Sequence, residues 1–174
     1  MKRLLLLRHG KAEGTASDDK QRALVPRGRT DSARIGRLLR EDAYMPQSIL
    51  CSDSVRTRQT LEALLPELEV KPQVKYLAEL YLAEPELILS LTRKTNDKLQ
   101  SLMIVGHNPG LEQCALTLAA VPLEKKLRKR YDVMDEKFPT CALAVIDFEV
   151  EKWRDIAPGR GDLDAFVRPK DLEE

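Results

Sequence analysis

The chain contains only two histidines, and each follows an apolar run that breaks at a glycine. His9 follows Leu4-Leu5-Leu6-Leu7-Arg8 and precedes Gly10; His107 follows Leu102-Met103-Ile104-Val105-Gly106. A neutral imidazole is a competent nucleophile towards phosphorus. Arg8 sets beside the first histidine a permanent cation whose fork of donors fits phosphate oxygens. Gly10 permits a turn and lets the backbone approach a ligand closely. Around the second histidine, Asn108 is a favoured helix cap and Pro109 a favoured first helical residue. That places His107 just outside a helix N-terminus, where unpaired amides favour an anion. A third string, Ser52-Asp53-Ser54-Val55-Arg56, follows the short apolar run ending at Cys51 and puts Arg56 in a first helical turn. Three strand ends thus bring Arg8, His9, Arg56 and His107 to one rim, a constellation suited to a dianion.

Other chemistries use other spacings. Two histidines and many carboxylates suggest a metal hydrolase, but close ligand pairs such as HxxxH or HxxEH do not occur in the chain. The expectation is therefore no metal and no cofactor. A non-catalytic phosphate-binding module would use the arginines without needing His9, and trapping a phosphoenzyme separates it from an enzyme.

The elements that must position these residues follow from hydrophobic period. Leu4–Leu7 and Leu102–Val105 read as buried strands, as do Ser48–Cys51 and the central run Cys141–Phe148; Val70–Tyr76 alternates as a half-buried strand, and Glu149–Trp153 is a candidate extension. Helical spacing appears at Ile35, Leu38 and Leu39 (a helix over 29–42), at Leu61, Leu64, Leu65 and Leu68 (starting near Ser54, stopped around Pro66), and at Leu111, Cys114, Ala115 and Leu118. Glu84-Pro85 opens a short helix through Leu91. The charge-dense stretch Lys125–Lys137 reads as a solvated helix or loop, and the tail from Pro158 as an irregular surface wrap. Strands alternating with helices imply βαβ units. The predicted fold is a single-domain α/β/α three-layer sandwich spanning 1–174, with a mostly parallel sheet of about six strands. In such sheets ligands gather outside the carboxyl ends of the strands.

Composition narrows the partners. With 29 basic and 28 acidic residues the net charge is +1, so no bulk attraction to nucleic acid or an anionic membrane is expected. Three widely spaced cysteines, Cys51, Cys114 and Cys141, suit buried reduced thiols. The apolar run after Met1-Lys2-Arg3 is too short for a signal peptide core. A cytoplasmic monomer is the expectation.

Taken together, LLLLRHGKAE, the stretch Asp19–Arg22 leading into Pro26-Arg27-Gly28, SxxxRxxQT from Ser52, LYLA from Leu80, VGHNPG, FPT from Phe138 and the ending Phe166–Leu172 resemble the histidine phosphatase (phosphoglycerate-mutase-like) superfamily. Within it they resemble the SixA-type protein phosphohistidine phosphatases. The resemblance implies that Arg8, His9, Arg56 and His107 form the phosphate-pocket tetrad, with His9 phosphorylated in the course of the reaction. Asp53 departs from the proline that many members carry after the serine. The resemblance also directs attention to Glu79, in an LxE string, as a general acid, with Asp19 as its rival. Gly10, Arg22 and Asn108 are further substrate-binding candidates. The room between Val74 and Leu102 holds one short helix rather than the larger cap of members acting on small sugars. That implies an open pocket for a phosphorylated protein, of phosphorelay or phosphotransferase-system type, with Arg22, Arg27, Lys125, Lys126, Arg128, Lys129 and Arg130 as a docking rim. A small phosphoester or phosphoserine/threonine substrate is the alternative.

An imidazole leaving group, with a pKa of about 6.5, departs readily once protonated, whereas an alkoxide needs a well-placed acid.

Overall fold

In the computed structural model, which describes residues 1–172, the four consecutive leucines form the middle of the sheet. The last two residues of the expected 1–174 domain lie outside the described residues. Strand β1 (Lys2–Arg8) pairs in parallel with β4 (Ser101–Gly106) on one side and antiparallel with β5 (Leu143–Phe148) on the other. Leu4 to Leu7 are all completely buried because both faces of β1 are covered. With β2 (Ser48–Ser52), β3 (Gln73–Leu77) and β6 (Asp162–Val167) the sheet has six strands in the order β3-β2-β4-β1-β5-β6. The first four are parallel to one another, and β5 and β6 add antiparallel pairings.

Alternate residues of each strand enter opposite cores. Leu5, Leu7, Met103, Val105 and Val145 pack with Ile35 and Leu39 of α1 (Pro26–Glu41) and Leu61 and Leu64 of α2 (Val55–Leu64). Leu4, Leu6, Leu102, Ile104 and Ile146 pack with Ile88 of α3 (Pro85–Arg93), Leu111, Ala115 and Leu118 of α4 (Gly110–Leu118), and Met134 of α5 (Lys125–Glu136). Each buried leucine or isoleucine contributes roughly 1.5–3 kcal/mol of burial. The result is three layers, helices over both faces. Between β3 and β4 stand only a 3-10 turn at Ala78–Leu80 and α3, so the cap is minimal. Cys51, Cys114 and Cys141 are free and buried.

Two expectations for the C-terminal third need correction. Glu149–Trp153 does not extend β5; the chain leaves the sheet, and Trp153 enters a 3-10 turn, fully buried, its indole N–H donating to Leu99 O at 2.9 Å. The sixth strand comes instead from the tail. Asp162–Val167 pairs with β5, with a register shift at Val145/Ile146. Gly161 leads into it, lodged so close to Ile146 that a Cβ would lie 2.3 Å from its Cγ2. Among the described residues, no helix is long and apolar enough to cross a membrane.

Candidate active site

Strand register alone brings the histidines together. Arg8 stands opposite Gly106 across β1 and β4, so His9 and His107 each leave the sheet one residue later, side by side. Their rings lie 5.4 Å apart between centroids, and both residues are buried, at 6% and 3% exposure. The β2–β4 register places Cys51 opposite Val105, so Ser52 ends level with Gly106. Ser52 Oγ and His107 Nε2 share a hydrogen bond of 2.8 Å.

The ring of His9 is oriented by its own turn. Nδ1 lies 2.7 Å from Gly10 O, and since a carbonyl only accepts, Nδ1 carries the proton. Nε2 therefore keeps its lone pair. The turn itself is locked: Gly10 N–H donates to Thr60 Oγ1 (2.9 Å), and Thr60 in turn donates to Arg56 O (2.7 Å). Thus α2 holds both the nucleophile's loop and the arginine. Gly10 also has a packing reason. A Cβ on Gly10 would lie 2.7 Å from Gly28 O, so the glycine lets α1 press against the loop.

Arg56 is 2% exposed in the first turn of α2, whose cap Ser54 accepts from Thr57 N. Its Nη1 donates to Asp19 O (2.8 Å) and its Nη2 to Asp19 Oδ2 (3.1 Å). Arg8 donates from Nη1 to Phe138 O at 3.1 Å. Arg8 Nε, Arg56 Nε and His107 Nδ1 are buried with no hydrogen-bond partner among the described residues. Burying polar atoms unpaired is costly, and an oxyanion is the kind of ligand that such donors satisfy.

Electrostatics keep the nucleophile unprotonated. Burial, reinforced by Arg56, Arg8 and Arg22, pushes His9 down to about 4. His107 is pushed down to about 3 by burial and then by His9 and Arg56. With protein charges alone around them, both histidines are neutral at pH 7. A charged His107 requires a neighbouring anion, because only an anion offsets that burial.

The remaining candidates divide. Asp19 enters the site: Tyr81 Oη–H donates to its Oδ2, Arg22 Nε to its Oδ1 at 2.9 Å, and these bonds with Arg56 hold the carboxyl down at about 2. Arg22, which also donates to Glu13 O, forms the outer rim through Asp19. Asn108 sits beside the pocket, but its amide donates to Phe138 O (2.9 Å) and its Oδ1 accepts from Glu112 N (3.2 Å). It therefore caps α4 from one residue further out than expected; the Asn108–Pro109 bond is cis, and Pro109 precedes the helix rather than opening it. Glu79 is not brought in. It is exposed and lines a separate groove with Lys75, Leu77 and Leu91.

Sequence reasoning missed Tyr81, Ser52 and Thr60. Tyr81 meets His107 edge-on at 5.3 Å, with Arg56 5.8 Å from its ring centroid. Its string LYLA was noticed without a role. Ser52 and Thr60 lay within the quoted SxxxRxxQT, whose non-arginine positions were read as helix start alone.

Among the described residues, no cluster of three histidines, cysteines or carboxylates is arranged to hold a metal ion. Comparison with known proteins agrees with this geometry. Over residues 4–86 the chain matches the histidine phosphatase superfamily, branch 1. A crystal structure from Agrobacterium tumefaciens, assigned as the phosphohistidine phosphatase SixA, is 31% identical with a TM-score of 0.79, covering 97% of this chain and 98% of that one. A second structure assigned as SixA, from Nakamurella multipartitia, is 26% identical with a TM-score of 0.80 over 97% and 96%. A Mycobacterium tuberculosis protein named only as uncharacterized is 30% identical over 168 residues, 94% of this chain and 100% of its own length. With its fold, its two strand-end histidines and its buried Arg56, the chain belongs to the histidine phosphatase superfamily and is a phosphatase of SixA-like structure.

Proposed function

We propose that this phosphatase removes the phosphoryl group from phosphohistidine on a protein, through a phosphohistidine formed at His9, with 1–174 acting as one catalytic domain in the cytoplasm. One observation carries the choice of substrate. Of the two carboxylates weighed as the acid, Asp19 is hydrogen-bonded into the pocket, held ionised at about 2 by Tyr81, Arg22 and Arg56, and Glu79 faces elsewhere. A carboxyl that has no proton at pH 7 cannot give one to an alkoxide. An imidazole already protonated on its other ring nitrogen needs no such gift.

The first step exchanges like for like. His9 Nε2 forms a bond to phosphorus as the bond to the substrate imidazole breaks, and that imidazole departs neutral. Arg8, Arg56 and a His107 protonated beside the dianion hold the equatorial oxygens, where charge stabilisation does most of the catalytic work. Water then attacks phosphorus, the Nε2–P bond breaks, and phosphate leaves as H2PO4⁻ with both water protons. No metal takes part in either step.

The test is an assay of phosphohistidine peptides and proteins, from phosphorelay and phosphotransferase systems, against alkyl phosphates and phosphoserine. Turnover of phosphohistidine, with an acid-labile, alkali-stable phosphoenzyme that is absent in His9→Ala and forms in chelator, is the expected result. Comparable turnover of an alkyl phosphate would refute the substrate choice. Persistence of activity in His9→Ala would refute the intermediate.

A further inference from the structure

Two adjoining clefts run along α5. The first, about 360 Å³, lies between Lys11, Lys137, Pro139 and Lys170; the second, about 420 Å³, lies between Lys126, Lys129 and Phe166, and the two share Val133 and Arg168. The first is tied to the active site through the chain. Lys11 is two residues beyond His9, and the carbonyl of Phe138, next to Pro139, is the one that Arg8 and Asn108 hold. From Lys137 to Lys126 the helix covers roughly 17 Å.

The charge along this strip is one-sided. Lys11, Lys126, Lys129, Lys137 and Lys170 are exposed and form no ion pair among the described residues. Of the carboxylates lining it among the described residues, Asp31 is taken by Arg27 (3.0 Å) and Asp171 by Arg168 (2.9 Å), which leaves Glu136. The placement opposes local physics as well. Apart from Glu124 at the cap, whose side chain makes no capping bond, the first turn of α5 is Lys125-Lys126-Leu127-Arg128, although a helix N-terminus repels cations. Beside these cations Leu127 is 56% exposed and Leu123 is 98% exposed. Apolar residues ringed by unpaired cations suit an acidic protein surface with an apolar centre.

We propose that this strip is the docking surface for the phosphorylated protein, and that it takes an acidic segment lying within about four to eight residues, in extended chain, of the phosphohistidine. The inference rests on the protein phosphohistidine reading above and extends it to the partner's chemistry. An anionic membrane would also meet the cations, but the first cleft is lined by Lys11, two residues from His9, and by Pro139, next to the carbonyl that Arg8 holds. A protein can present a phosphohistidine and an acidic segment together.

The test uses peptides carrying one phosphohistidine and a run of glutamates four to eight residues away, on either side, with glutamine-run controls. Wild-type kcat/KM is expected to favour one glutamate peptide by about tenfold at low salt, and the preference should fade near 0.5 M salt. In Lys126→Glu/Lys129→Glu the preference should vanish while turnover of free phosphoramidate stays at the wild-type rate; Lys126→Gln/Lys129→Gln should fall between. Binding of the unphosphorylated glutamate peptide, read by fluorescence anisotropy, should weaken in parallel. This readout separates docking from chemistry: failure to turn over any phosphohistidine peptide sinks the substrate reading, while anisotropy still decides the surface. Equal binding of glutamate and glutamine peptides, binding unchanged in the double glutamate variant, or charge-dependent binding only to phosphatidylserine vesicles would overturn the proposal.

Discussion

The pocket and helix α5 both concentrate positive charge, and they do so in opposite ways. Arg56 is 2% exposed, fixed by two bonds to Asp19, and its charge is set in place before any ligand arrives. The lysines of α5 stand in water without ion pairs among the described residues, at a helix end that disfavours them. Buried, pre-oriented charge stabilises a transition state because no reorganisation is left to perform. Exposed, mobile charge steers and selects partners, and contributes little to stability.

Breaking the pocket should cost most. His9→Ala is expected to lower kcat on phosphohistidine by about 10⁴-fold or more, with the fold retained by circular dichroism, since it removes the nucleophile itself. Arg56→Lys keeps the charge and loses the fork; kcat/KM should fall by about 10²–10³-fold. A loss below about threefold would mean that charge alone suffices, and the contrast with α5 would collapse.

Stability against pH sharpens the same comparison. His9 and His107 titrate at about 4 and about 3 in the fold but near 6.5 when unfolded. Below 6.5 the unfolded chain binds protons that the native pocket refuses. Their contribution is therefore full above pH 6.5 and is lost as pH falls towards 4 and then 3. The urea midpoint should drop between pH 7 and 4.5 by an amount worth roughly 5 kcal/mol, and the drop should shrink in His9→Ala/His107→Asn. An unchanged slope in that variant would contradict the pocket electrostatics. The smallest effect belongs to α5. Lys125→Glu should raise stability by about 0.5 kcal/mol in urea denaturation, because an acid there complements the helix end.

How much of this was legible in the sequence depended on how local the signal was. The runs ending at His9 and His107 announce buried parallel strands, and the arrangement of strand ends follows from βαβ logic. The link from Arg56 to Asp19 spans 37 residues, and that from Gly10 to Thr60 spans 50, so neither could be read from spacing. Asp19 was weighed as an acid because its type fits; its bonds to Tyr81, Arg22 and Arg56, invisible in one dimension, hold it ionised instead. Strand β6 went unread because Pro158, Gly159 and Gly161 punctuate the chain just before it, although Leu163, Ala165 and Val167 alternate with Asp162, Asp164 and Phe166. An edge strand made by a tail depends on a partner already in place, and local pattern describes that partner poorly.

That late strand has a consequence for how the protein is made. β5 is apolar along Leu143–Ile146, and β6 covers its outer edge. On the ribosome, β5 is complete well before Asp162–Val167 emerges, so for that interval the nascent chain carries a bare, sticky hydrogen-bonding edge. Any truncation that removes β6 makes this condition permanent. Such fragments are expected to aggregate even though every residue of the phosphate pocket is present in them.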